Sequence, residues 1–353
     1  MTNSHSRPLI ALTMGDAAGI GPEVLVKAAA SPEVRGSCRL VAIGHPDVLR
    51  RAIEACSVEL SVTSVDAASI RDIDSAGQTS SVLPCLMACD ADVANVPFGL
   101  VDGRAGKAAY DCLAAAARFA LAGCIDGITT APLNKAALKA GGLNYPGHTE
   151  ILGDLCEVSE FGMMLYLPGS EVIRSEHGLG VVHTTLHTSI RSVPGLLTTE
   201  SIASHVRLMD EFMRRVGCET PRVAVCALNP HAGEDGLFGE EEAVIIAPAV
   251  TQCRDAGIDV TGPLPADTLL RRAVGGEFDG VVAMYHDQGH IALKLIGFDR
   301  AVNITLGLPI VRTSPSHGTA FDIAGQGRAS AEGMIEAIKM AAILASRAIA
   351  PQL

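Results

Sequence analysis

"PLIALTMGDAAGIGPEVLVKAAA", residues Pro8 to Ala30, opens with a run of apolar side chains, breaks at Gly15, Gly19 and Gly21, and resumes behind Pro22 as a second apolar pattern. A strand buried on both faces needs no polar alternation. The glycines permit a tight turn. Pro22 suits the first position of a helix, where a backbone N–H would have no intrahelical partner. Strand, turn, helix is half of a parallel βαβ unit, and the rhythm recurs: "RLVAIG" precedes "HPDVLRRAIEAC", "GITTA" precedes "LNKAALKAG", and "RVAVCALN" precedes "EEEAVIIAPAVTQCRDAG". This predicts an α/β protein whose mostly parallel sheets are covered by helices.

At 353 residues the chain has room for about two domains with sizeable cores. A formal charge of −12 argues against a nucleic-acid surface, which would carry a basic stripe, so small molecules are the expected partners. The ten cysteines are scattered with no CxxC pair, the pattern of reduced thiols in a cytoplasmic protein. The start has too short an apolar run for a secretory signal. The most apolar long segment, Ala108 to Gly123, contains Asp111 and Arg118 and reads as a buried helix, so no membrane span is expected. Residues 64–81 read as a surface connection, and "AEGMIEAIKMAAILASRAIA" as a closing helix packed on a domain face or a subunit interface.

Parallel sheets collect ligands at the carboxyl ends of their strands, and the polar punctuation lies there, after "LTM", "CALN" and "VVAM". "MGDAAGIGPE" lacks the GxGxxG spacing, so no dinucleotide fingerprint is present. Its glycines offer either backbone N–H groups to an anion or simply a turn. In "LNYPGHTEI", His148 and Thr149 either donate to phosphate or carboxylate oxygens or, in the case of Thr149, cap a helix. "VVHTTLHTSIRSV" places His183 and His187 four apart, on one face whether strand or helix. His231 follows a strand in "CALNPHAGEDGLFGEEE", where Glu240 to Glu242 suit the first turn of the next helix through its dipole.

"VVAMYHDQGH", Val281 to His290, is a buried strand followed by His286, Asp287, Gln288 and His290 on an exit loop; Gly289 disfavours a helix there, and the HExxH glutamate is missing. His187, His231 and His286 thus end three strand exits. They either converge on one divalent cation with open positions or are scattered structural histidines. Lys294 and Arg312, each among apolar residues, call for anionic partners. Asp267 and Asp322 are loop carboxylates of the kind that orient ligands or water.

Taken together, "GDAAGIGPE", "YPGHTE", "LHTSIR", "LNPHAGE", "GPLPADT", "MYHDQGH", "VNITLGLPIVRTS" and "HGTAFDIAG" resemble the 4-hydroxythreonine-4-phosphate dehydrogenase (PdxA) family over nearly the whole chain. The resemblance implies a two-domain fold like isocitrate and isopropylmalate dehydrogenases, with an interdomain cleft. It implies a homodimer with the active site at the subunit interface. The division expected is residues 1–135 with 303–353 as one domain and 136–302 as the other.

The implied metal ligands are His187, His231 and His286, shared between two subunits, for one divalent ion (Zn, Mg, Co or Mn). His183 is left over as structural, and His290 is assigned to packing or to a layer behind the ligands. Substrate contacts implied are His148, Thr149, Lys294, Asn303 and Arg312, with Asp287, Asp267 or Lys294 available for proton transfer. The implied reaction is NAD-dependent oxidation of a secondary alcohol followed by loss of carbon dioxide, with NADP as an alternative; no residues can be assigned to the nucleotide.

Ala17 stands where the family usually has proline. "TTAPLNKAAL", "YPGHTEIL" and "HDQGH" look more like the branch acting on D-threonate or D-erythronate 4-phosphate, a catabolic role, than like the pyridoxine-biosynthetic branch. Two further readings are a terephthalate dihydrodiol dehydrogenase, made less apt by "GHTE" with "NITLGLPIVRTS", and a tri-histidine metal-dependent hydrolase.

Overall fold

The computed structural model describes residues 7–71, 73 and 81–347. Part of the stretch expected as a surface connection (residues 72 and 74–80) lies outside them. The chain forms two compact units that divide between Ser159 and Glu160 and again between Gly307 and Leu308. The expected divisions at 135/136 and 302/303 therefore move. The helix His148–Leu155 packs against the long helix Gly103–Leu121 and stays with the first unit. The strand Val302–Leu306 pairs with Gly162–Leu167 and stays with the second.

The N-terminal segment carries β1 (Leu9–Thr13), β2 (Arg39–Gly44), β3 (Ser61–Ser64), β4 (Val82–Met87) and β5 (Gly127–Thr130). The middle segment carries β6 (Gly162–Leu167), β7 (Leu179–His183), β8 (Val223–Cys226), β9 (Val260–Leu264), β10 (Gly280–Ala283) and β11 (Val302–Leu306), and the C-terminal segment β12 (Arg312–Pro315). In the first unit the order is β3-β4-β2-β1-β5-β12, parallel throughout. In the second it is β11-β6-β7-β10-β8-β9, with β6 antiparallel to both neighbours and the others parallel.

The uniform burial of β1, β5, β6, β7, β8 and β10 explains why they read as unbroken apolar runs. The second unit's core joins Leu165, Leu179, Val181, Ala224, Val281 and Leu293. Ala108 to Gly123 falls almost wholly within the helix Gly103–Leu121. No helix among the described residues is long and apolar enough to cross a membrane. The closing helix is Glu332–Ser346, packed on β12 and β5.

The glycine-rich turn after β1 resolves toward turn chemistry. Gly15 takes φ +67°, and a Cβ there would sit 2.3 Å from the Pro132 carbonyl oxygen, so only glycine allows the two strand exits to approach. Its neighbours' N–H groups are already used: Asp16 N–H donates to Pro132 O (2.9 Å), Gly19 N–H to Asp16 O (3.1 Å), Ile20 N–H to Thr319 O (3.0 Å), and Ala18 N–H to the Asp16 carboxylate (2.8 Å).

Candidate functional site

In the second unit β7 and β10 run parallel, and their hydrogen bonding continues past the strand ends. Thr184 N–H donates to Ala283 O (2.8 Å), Thr185 N–H to Met284 O (3.2 Å), and Thr185 Oγ1–H to Met284 O (2.8 Å). The two exits are thereby held side by side. His187, four residues beyond His183, comes to 5.9 Å from His286 between ring centres. His187, His286, Asp287, Tyr285 and Ile190 line a cavity of about 420 Å³.

His286 opens a helix, His286–Gly297, where an exit loop was expected. The intrinsic cost of Gly289 in a helix is about 1 kcal/mol, and tertiary contact overrides it. A Cβ at Gly289 would lie 2.6 Å from His183 Nε2 and 2.6 Å from Val181 Cγ1. Glycine therefore lets the helix seat directly on β7. The helical period then puts His286, His290 and Lys294 on one stripe. Gln288 ties the seat to the neighbouring exits, its Oε1 accepting from Met284 N–H (2.7 Å) and its Nε2 donating to Ala227 O (2.8 Å).

His286 Nδ1 lies 2.6 Å from Asp287 Oδ1. A carboxylate only accepts, so Nδ1 carries the hydrogen and Nε2 keeps its lone pair. A carboxylate paired with an imidazole in this way fixes the tautomer a metal ligand needs. Two imidazoles on one ion at roughly 2.0–2.1 Å would have ring centres about 5–6 Å apart, which His187 and His286 match. These two fit a divalent cation. Among the described residues no three His, Cys, Asp or Glu side chains of one chain gather into a metal-holding group.

His231 stands exposed on its own exit, after β8. His231 and Ala232 have left-handed backbones (φ 54° and 57°), followed by Glu234 and Asp235 (φ 44° and 52°). What holds this path is the pair Glu241 and Glu242. Glu242 Oε1 accepts from the N–H groups of Leu228 (2.8 Å) and Asn229 (2.7 Å), and Asn229 Nδ2 donates to Glu242 Oε2 (3.0 Å) and Glu241 Oε2 (2.7 Å). Of the three glutamates expected in the first helical turn, Glu241 and Glu242 form this clamp; Glu242 begins a π-helical turn, Glu242–Ile246, ahead of the helix Ala247–Asp255. The signal available in the sequence was a glutamate run behind a proline-histidine-glycine loop.

The other expected residues are placed as follows. Lys294 is half-buried with Nζ 5.5 Å from the centre of the Phe298 ring. Asn303, on β11, has a buried Oδ1 with no hydrogen-bond partner among the described residues, the kind of group a ligand donor satisfies. Asp267 is exposed in the first turn of the helix Ala266–Val274. Asp322 lies in the short 3-10 turn Phe321–Ile323 of the first unit.

In the first unit, Arg312 is 2% exposed at the start of β12, and its Nη2 donates to Thr130 Oγ1 (2.8 Å). Desolvation pulls its pKa down to about 10. His148 is the first residue of its helix, with Gly147 at the cap position, so Thr149 does not cap. Thr149 is buried one residue further in. Desolvation, and next the charge of Arg312, keep His148 well below the usual histidine range and hence neutral. His148 and Arg312 thus lie close enough for the charge of Arg312 to act on the imidazole.

His183, expected as a structural residue, touches the helix that carries His286. It is fully buried, desolvation lowers its pKa to about 4, and its Nε2 lies 3.0 Å from His290 Nδ1. The i, i+4 spacing of His286 and His290 was the visible clue, obscured by the glycine between them.

A family model described as "Pyridoxal phosphate biosynthetic protein PdxA" matches residues 36–341. The chain is 44% identical over 341 residues to a 4-hydroxythreonine-4-phosphate dehydrogenase of Geobacter metallireducens, covering 97% of this chain and 96% of that one. It is also 44% identical over 336 residues to a D-threonate 4-phosphate dehydrogenase of Salmonella typhimurium, covering 95% and 98%. The crystal structure of a 4-hydroxythreonine-4-phosphate dehydrogenase from Klebsiella pneumoniae superposes with a TM-score of 0.83 at 42% identity, covering 96% of this chain and 99% of that one. A strand-exit histidine pair on this α/β scaffold, together with identity of this extent over almost the full length, leads to one conclusion: the chain belongs to the PdxA family.

Proposed function

We propose that the chain is an NAD-dependent dehydrogenase acting on a 4-phosphorylated four-carbon hydroxy acid, either 4-hydroxythreonine 4-phosphate or D-threonate or D-erythronate 4-phosphate. Oxidation of the secondary alcohol is followed by loss of carbon dioxide, in a homodimer that divides three histidine ligands between its subunits. The observation that carries this reading is the His187–His286 pair beside a cavity of about 420 Å³, with the tautomer of His286 set by Asp287.

When bound, a divalent cation would supply Lewis acidity at the substrate hydroxyl, and NAD would supply the hydride acceptor. His187, His231 and His286 would hold the cation. Lys294 and Arg312 would neutralise phosphate and carboxylate oxygens, Arg312 through a planar fork able to grip two oxygens at once. His148 and Thr149 would donate to the same oxygens, and Asn303 would donate through its amide or accept a substrate hydroxyl at its buried Oδ1. Asp287 is engaged with His286, which suits it to orientation; Asp267 and Lys294 remain for proton transfer.

Exposed apolar side chains support the dimer. Ile190, Leu237, Phe238, Ile291, Leu295 and Phe298 all stand open on the second unit, in the same segments as the three histidines. Surfaces of this kind mark interaction sites. All ten cysteines are free, in keeping with a cytoplasmic enzyme.

The test is NADH formation by purified protein with added divalent metal, comparing the three phosphates with and without chelator. Chelator-sensitive turnover of the amino substrate would assign vitamin B6 synthesis, and preference for the sugar acids a catabolic role. His231→Ala should abolish metal-dependent turnover with the fold intact; full activity in that variant would refute the metal assignment.

A further inference from the structure

We infer that His183 and His290 form a buried, hydrogen-bonded imidazole pair that fixes the ring plane of His286 and so aims its Nε2 lone pair. The inference rests on reading His187 and His286 as metal ligands and adds two positioning residues to that site.

The hydrogens can be assigned by elimination. His183 Nδ1 lies 3.2 Å from the Met163 carbonyl oxygen. A carbonyl only accepts, so this nitrogen carries the hydrogen, and His183 Nε2 is left as an acceptor. His290 Nδ1, 3.0 Å from that Nε2, must then be the donor. One tautomer of each ring satisfies the chain Met163 O, His183, His290. Both rings are held at fixed angles as a result, with centres 4.5 Å apart and planes inclined by 46°.

His286 lies against the outer ring of this pair. Its centre is 3.8 Å from that of His290 and the planes differ by 13°. The torsion that sets an imidazole plane is broad and intrinsically soft. Asp287, the other restraint on His286, has a side chain that is 67% exposed, and a hydrogen bond to so wet a group fixes an angle poorly. A flat partner ring, itself locked from below, supplies the missing restraint. Gly289 completes the device, because a Cβ there would lie 2.6 Å from His183 Nε2, so its absence lets the helix, with both of its histidines, seat this close to β7.

The experiment compares wild type, His290→Ala and the double variant His183→Leu/His290→Phe. The double variant removes donor and acceptor of the imidazole pair together and retains an aromatic face; the Met163 carbonyl loses its His183 donor, so the fold should survive with a lowered unfolding midpoint. Co²⁺ affinity is read by competition with a chromophoric chelator, alongside the visible cobalt spectrum and thermal unfolding. Loss of orientation behind a ligand typically lowers metal affinity about 10- to 100-fold. That loss is expected in both variants, with an altered cobalt spectrum and a double variant that still unfolds cooperatively.

Wild-type affinity in the double variant would overturn the inference alone. Failure of the wild type to bind Co²⁺ would overturn the metal reading and this inference with it. Should the variants not fold, ¹⁵N chemical shifts of the wild-type imidazoles decide: both His183 and His290 must be Nδ1–H tautomers, and an Nε2–H tautomer at either position refutes the pair.

Discussion

Replacing Glu242 by alanine should release the loop that carries His231 without unfolding the second unit. Four non-glycine residues of that loop, His231, Ala232, Glu234 and Asp235, have left-handed backbones, each costing roughly 1–2 kcal/mol. Opposing this strain is a carboxylate only 6% exposed, which accepts from the N–H groups of Leu228 and Asn229 and from the Asn229 side chain. Hydrogen bonds to a charged group contribute about 1.5–3 kcal/mol each and are not additive within one cluster.

A loss of roughly 3–5 kcal/mol on truncation is therefore expected. It matches the strain in scale, so the loop opens locally. At about 1.4 kcal/mol per factor of ten, amide hydrogen exchange at Leu228 and Asn229 should accelerate at least ~100-fold. Amides on β10, one strand away, should change little. Glu242→Gln keeps an acceptor for the two backbone donors and should lose only about 1 kcal/mol. Protection factors at Leu228 and Asn229 within threefold of wild type in the alanine variant would show that the clamp does not hold the loop.

Three other outcomes follow from contacts elsewhere in the chain. Asp16 is fully buried, and desolvation raises its carboxyl to about 6 from 3.8; the folded state holds the proton more tightly, so stability is fullest below 3.8 and is lost as pH rises through 6. Asp16→Asn should remove that slope and raise stability at neutral pH by up to about 3 kcal/mol, as chemical denaturation across that range would record. For Asp279, burial pushes the carboxyl up, but the Arg222 side chain and backbone N–H and the Ser175 hydroxyl together hold it below 3.8. Its contribution is present above 3.8 and is lost as pH falls through the folded value, so Asp279→Asn should cost about 2–4 kcal/mol at neutral pH and the gap should close in acid; a pH-independent gap in unfolding midpoint contradicts the assignment. Gly289→Ala should lower stability by roughly 1–3 kcal/mol through overpacking against Val181 and His183, and a neutral or stabilising effect, as expected for an ordinary exposed helical glycine, would show that the close seat is not real.

The parts legible in the sequence were those encoded by periodicity. "RLVAIG" is β2 residue for residue, "RVAVCALN" contains β8, and "VVAM" covers all of β10 but its first residue. The polar residues placed after them do stand at strand exits. Direction was not legible: β6 runs antiparallel to its neighbours, and nothing in "GMMLYL" distinguishes a strand running one way from the other. Nor could local propensity foresee the helix at His286, because Gly289 is unfavourable by itself and favourable only once β7 lies beneath it. The domain boundary failed for the same reason, since the helix His148–Leu155 is assigned by what it packs on.

The same distinction explains how the candidate site is supported. Each of its three histidines leaves a strand on irregular backbone or at a helix start, where local structure alone fixes little. Each is then held by a contact that is distant in sequence or absent from any short motif. His187 depends on the bonds that prolong β7 onto the β10 exit, His231 on Glu242, and His286 on Asp287 in front and His290 behind. A ligand set ordered only on metal binding would pay the ordering entropy at that moment, about 1–2 kcal/mol per residue fixed, and bind more weakly by that amount. On the proposed metal assignment, the groups that orient each histidine meet that cost during folding instead. Substitutions at Glu242, His183 and His290 should therefore weaken metal binding while every ligand side chain remains in place.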